Sequence, residues 1–288
     1  MIVITGATGH VGGLLAHERA RLGAPFRMAV TSEERAPDVP AEVVVARYDD
    51  AESLDRALEP GDRVFMVSMF MPAERRLPLH RAFVDAAIRN KVGHVIYLSF
   101  TGAGEDTAFT HGRAHGTTER MLAESGLSWA ALRNGMYADE IPSWFDEEGR
   151  ITGPGGDGKV SFSYRPELAE ALAVLLLDDG HDHQHIVTVT GSESVTLAEF
   201  ARIATDVTGD DYRYEPEDAD EWVAYRRALG RPDWSIEAGL SYYDGVRAGE
   251  SDVVGDDYLK LTGKLPITIA EHVDRMRDEM PLSRKAPQ

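Results

Sequence analysis

The 288-residue chain carries 30 basic and 49 acidic side chains, a formal net charge of −19, with 43% hydrophobic residues and no cysteine. This is the makeup of an ordinary globular protein; it excludes disulfides, thiolate metal sites and cysteine nucleophiles, and its charge argues against nucleic acid and anionic membranes as partners. No basic stretch precedes an apolar run at the amino end, and apolar stretches such as Ala169–Leu177 are too short to span a bilayer, so a cytoplasmic location is expected.

Met1–Thr5, Phe26–Thr31, Glu42–Arg47, Arg63–Ser68, His94–Ser99 and Ser128–Arg133 are short apolar runs, as expected of strands covered on both faces of a parallel sheet. Helix-sized segments lie between them. Val11–Leu22 stops at Gly23, Asp50–Leu58 follows an aspartate pair able to cap it, Glu74–Asn90 carries Leu79, Phe83, Ala86 and Ala87 at helical spacing, and His115–Ser125 stops at Gly126. Such alternation predicts a doubly wound α/β fold. After Asn134 glycine, proline and aromatics increase, as in Gly153–Lys159. Pro166–Leu177 reads as a helix packed on the sheet, Ile186–Thr190 as a late strand, and Thr196–Thr208 as a helix capped by Ser194 or Thr196. From Asp210 onward short acidic helices and aromatics predict a small mixed lobe over the sheet's carboxyl edge, with a frayed tail at 281–288.

The sharpest motif is Gly6-Ala-Thr-Gly9-His-Val-Gly12, placed between the first strand and the first helix. Gly6 permits a tight turn, Gly9 lets the backbone approach a phosphate, and Gly12 lets helix and strand pack closely. The helix N-terminus offers free N–H groups to a pyrophosphate. The competing reading is a tight packing turn without a ligand. At the end of the second strand Ser32 and Arg35 favour a 2′-phosphate while Glu33 and Glu34 oppose it, so NADH against NADPH stays open. Asp49, after the third strand, is open between reaching an adenine and capping the next helix.

With Gly6–Gly12, the segments His115-Gly-Thr-Thr-Glu119, Leu132-Arg-Asn-Gly-Met-Tyr137 and Gly156-Asp-Gly-Lys159 fall in matching order along nearly the whole chain. Together they resemble the NmrA-like atypical short-chain dehydrogenase/reductases, closest to the type 2 NAD(P)H:quinone oxidoreductases. The resemblance implies a Rossmann domain over 1–136, with 160–190 returning to its sheet, and a mainly substrate-binding lobe over 137–288. It implies NAD(P)H as cofactor, with Gly6, Thr8, Gly9, His10 and Val11 on the pyrophosphate. Val67, Ser68 and Met69 would line the ribose and nicotinamide, Ser99 would sit near the nicotinamide, and Asn134, Gly135, Met136 and Tyr137 would lie at the substrate cleft. Thr31 stands where those quinone reductases usually carry arginine, which removes one ground for strict NADPH preference.

No tyrosine has a lysine four residues on, so the Tyr-x-x-x-Lys pair of many short-chain dehydrogenases is missing. His115 stands at the position of that lysine. It is open between orienting substrate or relaying a proton and a surface role paired with Glu119 at i, i+4. Ketone reduction makes a strongly basic alkoxide, whereas quinone reduction makes a phenolate-like anion of pKa ~10 that needs little protonic help. Met69, Phe70, Met71, Phe100, Tyr137, Trp144 and Phe145 follow strand ends, where doubly wound sheets present their loops to ligands. Asn134, His115 and Tyr137 are the catalytic candidates, and Phe70, Phe100, Met136 and Trp144 the acceptor contacts. Lys159 is open between an anionic substrate and a solvated turn. His181-Asp-His-Gln-His185 lacks a completing carboxylate cluster, and no metal is expected. The expectation is a monomeric or homodimeric NAD(P)H-dependent reductase of a quinone or aromatic, polyketide-like carbonyl. The alternatives are a non-catalytic dinucleotide sensor and an isomerase or lyase holding NAD.

Overall fold

The computed structural model describes residues 1–177 and 185–282. In chain order its first half runs β1 (Ile2–Thr5), α1 (His10–Arg21), β2 (Phe26–Val30), β3 (Glu42–Val45), α2 (Ala51–Ala57), β4 (Arg63–Met66), α3 (Ala73–Arg89), β5 (His94–Phe100), α4 (Thr110–Ala123) and β6 (Trp129–Asn134). There follow β7 (Met136–Tyr137), β8 (Arg150–Gly153), β9 (Lys159–Ser163), α5 (Arg165–Leu175), β10 (His185–Val189), β11 (Ser194–Thr196), α6 (Leu197–Thr208) and β12 (Arg213–Pro216). Last come α7 (Ala219–Ala228), α8 (Asp233–Arg247), α9 (Asp257–Thr262) and α10 (Ile269–Arg275).

A seven-stranded sheet has the order β10-β6-β5-β4-β1-β2-β3, every neighbouring pair parallel. Alternation sorts its side chains into two layers. Ile2 and Ile4 join Val11 and Leu15 of α1 and Leu168 and Leu172 of α5 on one face. Val3 joins Phe83, Val84 and Ala87 of α3 on the other. The chain steps from β1 outward through β2 and β3, then returns to the far side of β1 with β4. The order therefore reverses between β1 and β4, and a crevice opens beyond their carboxyl ends.

The smaller lobe is built on a three-stranded sheet, β11-β9-β7, and a two-stranded one, β12-β8. Its core is aromatic: Phe145 stacks on Phe200 at 5.6 Å and meets Tyr212 at 4.5 Å between ring centroids, with Phe162 5.5 Å from Phe200.

Local departures from expectation have identifiable causes. The Glu42–Arg47 run is not covered on both faces: β3 is the sheet's edge, and Val43 and Val45 are exposed. Helix α4 begins at Thr110, before the predicted His115, and takes in Gly112, which packs against Thr107, as Gly116 does against Gly104. Thr196 caps α6, forming a reciprocal capping box with Glu199. No helix among the described residues is long and apolar enough to cross a membrane. Nor does any group of three or more potential ligands among them suit a metal ion; of the 181–185 histidine run, only His185 lies within the described residues.

Candidate active site

The crevice begins where β1 meets β4. Thr5 Oγ1 donates to the Phe65 carbonyl at 2.9 Å and accepts from the Val67 N–H at 3.0 Å, and the Tyr48 hydroxyl lies 2.9 Å from it. These bonds seat Val67 under the glycine turn. Gly6 has a φ of +62°, and a Cβ built on it would lie 2.5 Å from Val67 Cγ1. A Cβ on Gly12 would lie 2.3 Å from the Gly6 carbonyl oxygen. The Gly9 N–H closes the turn on that same oxygen at 2.9 Å. Gly9 is the N-cap of α1, with no side-chain cap and no acidic residue in the first turn. The positive end of the helix is thus left to face outward, a cradle that fits a diphosphate.

Beyond this turn lies a cleft of about 560 Å³. Of the residues singled out in the sequence, Gly6, Gly9, His10, Val11, Gly12, Val67, Ser68, Met69, Phe70, Ser99, Phe100, His115, Asn134, Met136 and Tyr137 all line it. Thr8, Thr31, Ser32, Arg35 and Asp49 do not. Thr31 and Arg35 are exposed after β2, and Ser32 precedes a short 3₁₀ turn at Glu33–Arg35. Asp49 forms a two-pronged pair with Arg47 at 2.9 and 2.8 Å. It is not the helix cap: Asp50 is, accepting from the Ser53 N–H at 3.1 Å.

Trp144 and Lys159 lie away from the cleft. Trp144 packs on Phe162 at 5.6 Å in the lobe's aromatic core. Lys159 is exposed at the start of β9, and the glycines before it serve close packing: a Cβ on Gly158 would lie 2.5 Å from the Val246 carbonyl of α8.

The surface reading of His115 is overturned. The residue is buried, and its Nδ1 is 2.9 Å from the Tyr97 hydroxyl, which in turn reaches Ser68 Oγ at 3.3 Å. Glu119 ignores His115. It clamps Arg133 through Nε at 2.9 Å and Nη2 at 2.5 Å and accepts from Ser99 Oγ at 2.6 Å. Burial, reinforced by the Arg76 charge, holds the His115 pKa well below the ordinary value. Burial and Arg76 also lower His111 to about 4 and His80 to about 3. All three imidazoles are neutral at neutral pH.

Sequence reasoning missed Arg76, Phe109, His111, Glu140 and Arg165, which also line the cleft. Arg165 covers the Tyr137 ring at 4.2 Å and pairs with Asp139 and Glu140. Burial pushes the Tyr137 hydroxyl up to about 12, so it keeps its proton. Gly135 carries the chain from β6 into the lobe, where a Cβ would lie 2.3 Å from the Ser161 carbonyl. At the mouth, Phe70 is 78% exposed, its ring 5.3 Å from both His111 and Trp234. His111 stacks in turn on Phe109 at 5.7 Å.

A family model described as NAD(P)H-binding matches residues 6–179. An NmrA-like family domain-containing oxidoreductase of Aspergillus flavus is 30% identical, covering 92% of this chain and 91% of its own length. The structure of the NADPH-dependent quinone oxidoreductase of Escherichia coli complexed with NADPH matches with a TM-score of 0.87 at 27% identity, covering 96% of this chain and 99% of its own. That of the Citrobacter triphenylmethane reductase complexed with NADP(H) matches with a TM-score of 0.84 at 26% identity, covering 96% of this chain and all (100%) of its own. The chain belongs to the NAD(P)H-binding family, among its NmrA-like oxidoreductases.

Proposed function

We propose that this chain is a reductase of quinones or of comparably activated aromatic carbonyls. The observation that carries the reading is the opening of the glycine turn into one cleft whose far wall is aromatic and whose buried imidazoles, His111 and His115, are neutral. The quinone oxidoreductase and dye reductase relatives support it.

Gly6, Gly9, His10, Val11 and Gly12 would hold the diphosphate of NAD(P)H, with Val67, Ser68, Met69 and Ser99 along the ribose and nicotinamide. Bound there, the cofactor supplies a hydride. The protein's own work is then orientation. Phe109 and His111, stacked, and Phe100, tilted against Phe109, form an aromatic wall for a planar acceptor, and Phe70 and Trp234 flank the mouth. His115, fixed through Nδ1 by Tyr97, has Nε2 for an acceptor oxygen, and Asn134 and the protonated Tyr137 offer further hydrogen bonds. None of these groups is a strong acid at neutral pH. That set suits a product anion as weakly basic as a phenolate, with a pKa of ~10, and not an alkoxide.

After β2, Ser32 and Arg35 would take a 2′-phosphate, and Arg35 has no ion pair among the described residues. Mixing the protein with NADH or NADPH and a panel of quinones tests the reading through the absorbance of the reduced cofactor. Acceptor-dependent oxidation is expected. Tight cofactor binding with no turnover on any acceptor would overturn the reductase reading in favour of a dinucleotide sensor.

A further inference from the structure

Arg76 lies on the first turns of α3 and lines the cleft, yet it is only 2% exposed. Its guanidinium is nearly unserved. Nη1 makes one long contact, 3.5 Å, to the Met69 carbonyl, and Nε and Nη2 meet no acceptor among the described residues. No carboxylate among them pairs with it. The other charges around the cleft are compensated: Arg165 by Asp139 and Glu140, and Glu119 by Arg133. His80, one turn along α3, and His111 and His115 on α4 are neutral. The wall of the cleft therefore carries one uncompensated positive charge, in a chain whose net charge is −19.

A buried guanidinium without a counter-ion is costly, and the three N–H donors of Nε and Nη2 left idle add to the cost. Lining a cleft, as Arg76 does, such a group is where a ligand can complete it. The partner must be an anionic oxygen, and the fork of Nε and Nη2 suits two oxygens side by side. Such oxygens come from the dinucleotide or from the acceptor. The placement favours the acceptor. Arg76 reaches the Met69 carbonyl, next to Phe70, whose ring packs 5.3 Å from both His111 and Trp234 at the mouth, and its charge, added to burial, lowers the pKa of the neighbouring His111 and His115.

We propose that Arg76 anchors an acidic group of the acceptor, so that the substrate class is an aromatic acceptor bearing a carboxylate or a comparably acidic substituent. This rests on the reductase reading above and narrows it.

The test uses a naphthoquinone carboxylate and the corresponding neutral carboxamide as acceptors, with naphthoate and naphthamide as unreactive probes followed by tryptophan fluorescence. The wild-type protein is expected to prefer the carboxylate. In Arg76→Met the ratio of kcat/KM for the charged over the neutral acceptor should fall about 100-fold, mainly through KM, as when one partner of a buried charge pair is truncated. Naphthoate affinity should fall by a similar factor. Arg76→Lys, which keeps the charge and loses the fork, should recover about 10-fold of the lost ratio and serves if Arg76→Met fails to fold. A wild-type preference for the neutral acceptor, an equal loss on both acceptors, or a loss confined to cofactor affinity would each overturn the proposal. Absence of turnover on every acceptor would sink the reductase reading alone, because the naphthoate titration still decides the role of Arg76.

Discussion

Gly9 and Gly12 sit three residues apart in the same turn, and the structure assigns them opposite sensitivities. A Cβ on Gly12 would lie 2.3 Å from the Gly6 carbonyl oxygen and 2.8 Å from its carbon, both backbone atoms that cannot swing aside. Gly12→Ala must push α1 away from the turn, an overpacking that costs about 1–3 kcal/mol. At about 2–4 °C per kcal/mol for a chain of this size, the middle of that range lowers the melting temperature by about 4–8 °C. A Cβ on Gly9 meets only the Gly6 carbonyl oxygen, at 3.3 Å, and Gly9 has φ −93° and ψ 172°, a conformation open to any residue. Gly9→Ala should therefore fold with little change in melting temperature. Its methyl group would stand where the diphosphate approaches, and NAD(P)H affinity should drop by about 10-fold, or roughly 1.4 kcal/mol. Calorimetry of both variants with and without cofactor separates the two effects. A Gly9→Ala protein that binds cofactor like the parent would refute the cradle, and a Gly12→Ala protein that melts like the parent would refute the packing argument.

Other consequences follow from the same geometry. His80, His111 and His115 have folded pKa values below the ordinary 6.5, chiefly through burial, so the unfolded chain takes up their protons first. Stability is therefore complete above that value and falls as pH drops toward about 4; a melting temperature that holds steady between about pH 7 and about pH 5 would contradict this. His115→Ala should lower kcat by about 5-fold, the worth of one orienting hydrogen bond, and not abolish turnover. Complete loss with intact cofactor binding would make His115 an essential proton carrier. Arg35→Ala should raise KM for NADPH by about 10-fold while sparing NADH, and steady-state kinetics with both cofactors checks it. Glu119→Ala strands Arg133 and frees Ser99, and a urea titration should show a loss of about 3 kcal/mol, the low end for a broken pair because Arg133 is partly exposed.

The central sheet was legible because its five inner strands, β1, β2, β4, β5 and β6, are buried almost throughout and α1 and α3 bury apolar residues at helical spacing. The glycine turn was legible because its function is carried by backbone, and backbone demands show directly as glycine. Side-chain functions were harder to read. Spacing put His115 and Glu119 on one face of a helix but said nothing of how that helix is rotated, and both residues turn inward to different partners. Arg76 did leave a signal. With His80, Phe83 and Ala87 it forms one stripe along α3, and extending the apolar stripe toward the amino end reaches two polar residues that must share its burial. Trp144 and Lys159 were misplaced because they lie in the irregular lobe, where position after a strand no longer fixes which way a loop faces.

The two ends of the cleft are built from different materials, and this has a consequence for how the site tolerates change. The cofactor end is main chain: a turn at positive φ, close carbonyl contacts and the free start of a helix, all fixed by the β1–β4 junction. A side chain added at Gly6 or Gly12 collides. The acceptor end is side chains drawn from α3, α4, α8 and the segments after β4 and β6, the latter entered through the tight crossing at Gly135. Replacing one of those rings or charges alters the shape and polarity of the far wall and leaves the turn untouched. Acceptor preference can therefore shift by substitution in Phe70, Arg76, His111, Tyr137 or Trp234 while the reducing half stays as it is, which is why the identity of the acceptor must be argued from those side chains and not from the glycine turn.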